Sequence, residues 1–570
     1  MQVIHGIPAA KGIAIGPGFH HKPTRVAPAR ARITDVETEI ERLDDAIHQA
    51  ERELKDMYEA ARETVGEDAA KIFQAHLIML KDPDLLQTAR QTIKTEQLNA
   101  ESSFHDASEH YADLLQNLSD EYLQARAADV RDISARVVRN LRNETVDISS
   151  LSVPSILFAE DLAPSDTIQY EREKLLGFFT AKGGATSHTA ILSRALGIPA
   201  VVGAGVLPDF TSGEHIYILD GDRGQLIIDP DAFTRSQYLE IQRSQRAKHA
   251  EEKATALPPA FTRDGKRVEV VANIGNVEDA KSALANGAEG AGLFRTEFAY
   301  LEQSAVPDEQ ALVDEYRAIF RIFGDLPVVV RTLDIGGDKE VPHLGLPRES
   351  NPFLGQRGIR LYLSRLDLSK PQLRAILRAG NRSNLRIMFP MIATIEEIRE
   401  VRKVLDQCRT ELERESSEFN LNPKIGIMIE VPSAALCADQ LAREVDFFSI
   451  GTNDLTQYTL AADRTNATVS HLVTPMQPAV LRLIKQVIDH GHRAGIWVGM
   501  CGEMAAELMA IPLLLGLGLD EFSMNPASIP QAKAIIRAWD TRQAALLAEQ
   551  ALQCATPGEI QRLVSSWQPD

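Results

Sequence analysis

The sequence predicts a multidomain α/β protein, in which a small α/β domain carries an inserted α-helical domain and is followed by a (β/α)8 barrel of the TIM type. The chain has 570 residues, 44% of them hydrophobic, which is too long for a single core. A glycine-poor region of helical periodicity interrupts the first half between β-rich segments. The second half alternates short apolar runs with helical stretches.

The first half is predicted to hold one α/β domain in two pieces, residues 1–20 and 147–232. Short β-rich runs such as SILFA and HIYILD recur in the second piece, and the N-terminal strand has no other partner nearby. Residues 21–146 are predicted to be a helical insertion, because Leu, Ile and Ala recur there at helical spacing among charged residues. The polar residues 233–256 also have a helical pattern and are predicted to form a linker helix.

Residues 257–570 are predicted to form the barrel, because eight apolar runs are each followed by a helical stretch. The runs are VEVVA (268–272), GAGLF (290–294), PVVVR (327–331), LRIMF (385–389), KIGIMI (424–429), VDFFSI (445–450), IWVGM (496–500) and DEFSM (520–524). A doubly wound open sheet is the alternative that the same alternation allows.

Polar residues follow these runs where the predicted strands end, which is where barrel enzymes place their catalytic groups. They are Arg295, Arg331, Lys339, Arg357, Glu430, Asn453, Asp454, Arg464 and Cys501. Arginine forks onto phosphate and carboxylate oxygens, and the carboxylates Glu430 and Asp454 are hard ligands suited to Mg2+. The set predicts an active site for a small, phosphorylated, acidic substrate at one mouth of the barrel.

A second candidate site lies in AKGGATSHTAILSRALGIPAVVG, residues 181–203. A Gly-Gly turn precedes a helix that is predicted to start near Ser187, so His188 falls in its first turn. Backbone N–H groups and the helix dipole favour an anion there and disfavour imidazolium. His188 is therefore predicted to be neutral and nucleophilic, with Ser187 and Thr189 beside a transferred phosphoryl group.

Composition narrows the class of protein further. The net charge is -19, with 80 acidic and 61 basic residues, which argues against binding to nucleic acid or to an anionic membrane. Neither GxxxxGK[ST] nor GxGxxG after a strand occurs, so no ATP or dinucleotide site is predicted. The four cysteines form no CxxC pair, and the N-terminus MQVIHGIPAAKG does not resemble a signal peptide. A cytoplasmic protein without direct membrane insertion is predicted.

Together, the two sites resemble Enzyme I of the bacterial sugar phosphotransferase system. The stretch GGATSHTAILSRALGIPAVVG is similar to the phosphohistidine signature of that family. The phosphoenolpyruvate-binding motifs of the family resemble GLFRTEF, RTLDIGGDKE, NPFLGQRGIR, GIMIEVPSAA, IGTNDLTQYTLAADR and GMCGEMA. The related pyruvate phosphate dikinase and phosphoenolpyruvate synthase carry a large nucleotide-binding domain, for which this chain has no room.

The resemblance implies a role for each residue. His188 accepts a phosphoryl group from phosphoenolpyruvate, and Thr167, in DLAPSDT, contacts that histidine. Cys501 donates a proton to the enolate of pyruvate, and Glu430 and Asp454 bind Mg2+. Phosphoenolpyruvate is held by Arg295, Arg331, Lys339, Arg357, Asn453 and Arg464.

The resemblance also implies partners. The helical insertion docks the phosphocarrier protein HPr through the stretches AAKIFQAHLIMLKD and YLQARAADVRDI, as the first step of sugar uptake, and the barrel forms a homodimer. Ala185 stands where many relatives have a basic residue, which leaves the identity of the carrier open. Two alternatives remain: a dikinase-like enzyme that works with a separate nucleotide-binding chain, and a non-catalytic regulatory phospho-sensor, against which the intact catalytic positions argue.

Overall fold

The structure is a computed structural model in which the chain forms two compact units, Met1–Ala247 and Lys248–Asp570. The residues that it describes are 1–21, 28–65, 67–117, 121–144, 151–168, 170–184, 187–208, 215–301, 305–337, 341–347, 349–381, 383–466 and 468–567. No helix in these ranges is both long enough and apolar enough to cross a membrane.

The described strands of the first unit form one sheet. They are β1 (Gln2–His5), β2 (Ile7–Ala10), β3 (Ile13–His20), β4 (Ser155–Ala159), β5 (Leu175–Thr180), β6 (Ala200–Val202), β7 (Ile216–Asp220) and β8 (Gln225–Ile228). Their order is β1-β8-β7-β3-β4-β5-β6-β2. Because only Gly6 separates β1 from β2, which lie at opposite ends of this order, the sheet must curl until its ends meet.

The N-terminal segment differs in detail from the single strand that its sequence predicts. It forms three strands, and the chain turns between the second and third at Gly12, whose φ of 118° lies in a region that L side chains rarely adopt. Strand β3 pairs with both β4 and β7, so the N-terminal residues belong to the same sheet as the later strands.

A helical block leaves this sheet after β3 and returns to it at β4. Its helices are α1 (Val36–Val65), α2 (Glu67–Leu80), α3 (Pro83–Glu96), α4 (Ala100–Gln116) and α5 (Glu121–Leu141). Leu43, Leu54, Phe73 and Phe104 are fully buried in a core of its own. A turn separates α2 from α3, and the side chain of Asp82 caps α3 by accepting from the N–H groups of Asp84 and Leu85.

Two more helices belong to the first unit, and a third connects it to the second unit. They are α6 (Pro164–Ile168), α7 (His188–Leu196) and α8 (Ala232–Ala254). The helix α8 lies where the linker helix is predicted, and the boundary between the two compact units falls within it.

The second unit contains the predicted (β/α)8 barrel. Its strands are β9 (Ala260–Phe261), β10 (Arg267–Ile274), β11 (Ala291–Arg295), β12 (Val328–Arg331), β13 (Leu385–Phe389), β14 (Lys424–Ile429), β15 (Phe447–Ile450), β16 (Trp497–Met500) and β17 (Glu521–Met524). The strands β10 to β17 are parallel, and β17 pairs with β10 from Glu269 opposite Glu521 to Ala272 opposite Met524. This closure excludes the open-sheet alternative, and each barrel strand overlaps one predicted apolar run.

Along the chain, helices follow each of the barrel strands. They are α9 (Val277–Ala285), α10 (Phe298–Leu301), α11 (Glu309–Phe323), α12 (Ile359–Ser364), α13 (Leu366–Ala379), α14 (Ile395–Arg414), α15 (Pro432–Leu436), α16 (Ala438–Leu441), α17 (Thr452–Leu460), α18 (Pro478–Ala494), α19 (Ala510–Leu517), α20 (Ile529–Ala538), α21 (Thr541–Ala551) and α22 (Pro557–Ser566). Leu293, Val329, Met388, Met428 and Phe447 pack inside the barrel.

The end of the barrel opposite the strand C-termini is closed by a polar cluster. Glu521, the first residue of β17, is 1% exposed, and its Oε2 lies 3.4 Å from Nη1 of Arg386. The guanidinium group of Arg386 also lies 4.8 Å from the ring centre of Trp497, which stacks on Phe447. Burial raises the pKa of Glu521 to about 8, although Arg386 opposes the shift.

The barrel should therefore become less stable as the pH rises. Between the ordinary glutamate pKa and about 8, folded Glu521 binds a proton that the unfolded chain has lost, so raising the pH through this window lowers the free energy of unfolding. Glu521→Gln cannot ionise. Its transition temperature at pH 8.5 should exceed the wild-type value by at least about 2–4 °C, and the two should converge near pH 5. A difference that does not depend on pH, measured by calorimetry, would contradict this assignment.

Candidate active site

The parallel strands bring the predicted mouth residues to one end of the barrel. Arg295 and Arg331 end β11 and β12, Glu430 and Cys501 directly follow β14 and β16, and α17 begins after β15. Arg357 lies before α12, Asn453 and Asp454 lie in the first turn of α17, and Arg464 follows that helix. Lys339 lies outside the described residues, so its position stays a prediction.

Two carboxylates hold Arg357, of which 2% is exposed. Its Nη1 donates to Oδ1 of Asp454 at 2.8 Å, and its Nη2 donates to Oδ2 at 3.2 Å. Its Nε and Nη2 donate to the two carboxylate oxygens of Asp334 at 3.3 and 3.2 Å. Burial alone would lower the pKa of this guanidinium, but the two carboxylates outweigh burial and raise it, so the cation persists.

Asp334 joins Arg357 to a second buried arginine. Its Oδ2 lies 3.4 Å from Nη1 of Arg331, whose Nη2 donates to Glu297. Glu297 and Asp334 are each 1% exposed. Neither carboxylate was predicted as a site residue, although Glu297 and Asp334 lie within a few residues of the ends of β11 and β12.

Arg464 and two aromatic residues, Phe353 and Tyr458, link the loop before α12 to α17. Nη1 of Arg464 lies 3.3 Å from Oδ1 of Asp454, so one carboxylate holds two guanidinium groups. The guanidinium carbons of Arg357 and Arg464 lie 5.8 and 5.7 Å from the ring centre of Phe353. The hydroxyl of Tyr458 donates to the carbonyl of Phe353 at 2.6 Å and accepts from Arg357 at 3.2 Å.

Glu430 is the most deeply buried of the predicted metal ligands. It is 1% exposed, and its Oε1 accepts from the backbone N–H of Met391 at 2.6 Å. Met391 has a φ of 59°, a left-handed conformation that costs energy for a residue with a side chain. Burial raises the pKa of Glu430, and the negative charges of Asp454 and Asp334 raise it further. A cation beside Glu430 would offset both effects.

Cys501 lies at the mouth but stays inside the barrel core. It is 5% exposed, and its Sγ lies 3.9 Å from the carbonyl oxygen of Ile450. Burial raises the pKa of the thiol to about 11, so it is protonated at neutral pH. Burial also raises the pKa of Cys408, on α14, to about 12. The position at the mouth, not the pKa, therefore distinguishes Cys501.

Asn453 is held by Glu503, a residue of the loop that follows β16. Its Nδ2 donates to Oε1 of Glu503 at 3.1 Å, and its Oδ1 accepts from the backbone N–H of Glu503 at 3.0 Å. These two bonds tie the start of α17 to the segment that carries Cys501.

The second candidate site lies in the first unit. His188 is the first residue of α7, as predicted, and Ser187 caps the helix by accepting from the N–H of Ala190 at 3.4 Å. The imidazole is 25% exposed, and its Nδ1 lies 3.4 Å from Oδ1 of Asp129 on α5. Asp129 was not predicted as a site residue, although it lies in the stretch YLQARAADVRDI.

The pKa of His188 is lowered, in the predicted direction but for a different main reason. Burial is the largest cause, and the positions of Arg126 and His76 act in the same direction, whereas Asp129 opposes them. From the sequence, the helix dipole is expected to keep the His188 ring neutral, but burial is the main cause that favours the neutral ring.

Thr167 lies in α6, and its hydroxyl donates to the carbonyl of Ala163 at 3.2 Å. Its contact with His188 stays a prediction, because the side-chain contact that the structure records for the imidazole is with Asp129. Ala185 lies outside the described residues.

Three domain models of the PEP-utilising enzymes match successive parts of the chain. The N-terminal domain of that family matches residues 5–126, its mobile domain matches residues 151–224, and its PEP-binding domain matches residues 249–541. His188 lies in the segment that matches the mobile domain, and the barrel-mouth residues lie in the segment that matches the PEP-binding domain.

Relatives that match this chain over nearly their whole length identify a more specific family. The phosphoenolpyruvate-protein phosphotransferases of Bacillus sp. (strain S) and Geobacillus stearothermophilus are each 46% identical over 98% of this chain and 97% of their own length. That of Bacillus subtilis (strain 168) is 45% identical over 98% of both chains. The chain belongs to the phosphoenolpyruvate-protein phosphotransferase family.

Removal of Asp334 should destabilise the barrel strongly, because it leaves two buried guanidinium groups short of an anion. Asp334→Ala is expected to lower the free energy of unfolding by about 3–5 kcal/mol. The matched control is Asp406→Ala, which breaks a surface pair with Arg409 on α14 and should cost no more than about 1 kcal/mol. Equal losses for the two variants in denaturant titrations would show that Asp334 does not neutralise the buried arginines.

Proposed function

We propose that this protein is a phosphoenolpyruvate-protein phosphotransferase. It transfers the phosphoryl group of phosphoenolpyruvate to His188, releases pyruvate, and passes the group to a histidine of the carrier protein HPr as the first step of sugar uptake. The observation that carries this proposal is the cluster of arginines and carboxylates at the barrel mouth, in a chain whose full-length relatives bear this name.

The barrel mouth is the proposed binding site for phosphoenolpyruvate. Arg331, Arg357 and Arg464 are already charged and positioned, with carboxylates as their partners. A phosphate and a carboxylate on one small molecule would replace part of those partners, while Asp334 continues to hold the two most buried guanidinium groups. Arg295, Asn453 and Lys339 are proposed to complete the site.

Glu430 and Asp454 are the proposed ligands of Mg2+. The charge of a divalent cation would offset the repulsion that raises the pKa of the buried Glu430 carboxyl. Two carboxylates suit Mg2+, which commonly takes its other oxygens from substrate and water. When bound, Mg2+ supplies charge neutralisation on the phosphoryl oxygens of the transition state.

The reaction breaks the bond between phosphorus and the enolic oxygen and forms a bond between phosphorus and a ring nitrogen of His188. The arginines hold the phosphoryl group in line with the incoming nitrogen and neutralise its charge. The enolate then takes a proton on its methylene carbon from the Cys501 thiol, which is protonated because burial raises its pKa to about 11. The thiolate recovers its proton from water.

The acceptor and the substrate site lie in different compact units, so His188 must reach the barrel mouth for one half-reaction and HPr for the other. The proposed docking stretches lie on α2 and α5, and Ile78, in the first of them, is 75% exposed. Membership of the family supports a homodimer formed through the barrel and a place in the cytoplasm.

Labelled phosphoenolpyruvate with Mg2+ tests the proposal directly. The label should appear on His188 in an acid-labile, base-stable form, should require added Mg2+, and should move to HPr when that protein is supplied. His188→Ala should accept no label yet bind phosphoenolpyruvate with nearly unchanged affinity, because the two sites lie in different units. Label on Ser187 or Thr189, or labelling from ATP without phosphoenolpyruvate, would overturn the assignment.

Cys501→Ser should separate protonation from substrate binding. A buried hydroxyl is a much weaker acid than the thiol, so turnover to pyruvate should fall by about 100-fold or more while the dissociation constant of phosphoenolpyruvate stays within about 3-fold. Cys437→Ser, at an exposed cysteine, is the control and should leave both quantities unchanged. Parallel losses of binding and turnover in Cys501→Ser would identify a structural cysteine.

A further inference from the structure

A buried cluster of ionisable side chains adjoins His188 in the first unit. Asp129, on α5, is 1% exposed. Its Oδ1 lies 3.4 Å from Nδ1 of His188 and 3.4 Å from Nε2 of His76, which is on α2. Its Oδ2 accepts from Nη1 of Arg126 at 2.9 Å. One carboxylate thus faces the proposed acceptor, a second histidine and an arginine.

The cluster continues behind His76, which is completely buried. The Nδ1 of His76 lies 3.7 Å from Oδ2 of Asp132, and Oδ1 of Asp132 accepts from the hydroxyl of Ser165 on α6 at 2.8 Å. The cluster therefore reaches from the helical block to the helix that precedes the acceptor segment. It also includes a residue from each of the two stretches proposed to dock HPr.

Several of these polar atoms are buried without a hydrogen bond in the described part of the chain. They are both ring nitrogens of His76, Oδ1 of Asp129 and Oδ2 of Asp132. An unpaired buried polar group destabilises the fold. The contacts of 3.4 to 3.7 Å would become hydrogen bonds after a shift of a few tenths of an ångström. A cluster in which small shifts make or break hydrogen bonds suits a site where the His188 ring moves during turnover.

We propose that Asp129 is a positioning residue for phosphoryl exchange between His188 and the carrier. Its carboxylate accepts the Nδ1–H of His188 and so holds the neutral ring in the tautomer that has its lone pair on Nε2. Arg126 and His76 hold the carboxylate in place. This inference rests on the proposed function, because it assumes that His188 is the phosphoryl acceptor.

The chemistry of the two side chains leads to this tautomer. A carboxylate can only accept a hydrogen bond, and a neutral imidazole carries its proton on one nitrogen. Because Asp129 faces Nδ1, the attractive arrangement places the proton there and leaves Nε2 as the nucleophile. When the bond between Nε2 and phosphorus forms, the ring becomes positive and Asp129 stabilises it. The Nδ1 proton stays on the ring, and transfer to the carrier returns the electron pair to Nε2.

Asp129→Asn in the full-length protein tests this inference sharply. Arg126 has no acceptor atom, so the amide oxygen of Asn must turn to it, and the amide NH2 then faces Nδ1 of His188. The variant should shift His188 to the tautomer protonated on Nε2, seen in the 15N chemical shifts of the ring. Transfer from phosphorylated HPr to His188 should slow by about 10- to 100-fold. Asp44→Asn, at an aspartate of the same block that pairs with Arg90 at 2.7 Å, should change neither quantity.

The outcomes separate this inference from the proposed function. A wild-type His188 that takes label but is protonated mainly on Nε2 would overturn the positioning role without need of any variant. An Asp129→Asn protein with unchanged exchange, or with slow exchange and an unchanged tautomer, would also overturn it. A wild-type protein that takes no label on His188 would instead overturn the proposed function.

Discussion

A charged group buried at the end of a barrel strand needs an opposite charge beside it, and this requirement organises the barrel mouth. Arg331 and Arg357 have lost nearly all contact with solvent, which is costly for a cation unless anions accompany it. Glu297, Asp334 and Asp454 meet that need from three different segments. The segments that carry these carboxylates are therefore held in one arrangement before any substrate binds, and little reorganisation remains for the reaction.

The same requirement takes another form at His188. There the buried charge is the Asp129 carboxylate, and two of its neighbours are imidazoles. A guanidinium group keeps its proton at every accessible pH, so the positive charges of the arginines at the barrel mouth are permanent. An imidazole changes charge when it gains a proton or a phosphoryl group, so the contacts of Asp129 change in strength during turnover. Fixed charge suits binding of the substrate, whereas adjustable charge suits repeated gain and loss of a phosphoryl group.

The sequence could predict what depends on local pattern. The barrel strands follow from apolar runs that alternate with helical stretches, and Arg331, Glu430 and Cys501 follow from the rule that strand C-termini meet at one mouth. The place of His188 at a helix start follows from its Gly-Gly turn and from Ser187. These signals lie within a few residues of the feature that they predict.

Pairing across the fold could not be predicted from such patterns. Asp334 lies in a motif that was singled out, but its position between two arginines depends on how the connection between β12 and α12 brings Arg357 back to the end of β12. The link between Asp129, His76 and His188 joins segments that are far apart in sequence, and nothing local distinguishes Asp129 from the many solvated aspartates of the helical block. The left-handed backbone of Met391 has no sequence signal, because methionine is not a residue that favours it.

The proposed chemistry also explains why one chain needs two compact units. A phosphoryl donor that carries several negative charges requires a charged mouth from which water is largely excluded. A protein acceptor requires a histidine that another folded protein can reach. A histidine fixed among the buried arginines would satisfy the first condition and fail the second. Placing His188 on its own unit, joined to the barrel through α8, allows the same imidazole to meet both conditions in turn, while the linker keeps its concentration near the mouth high.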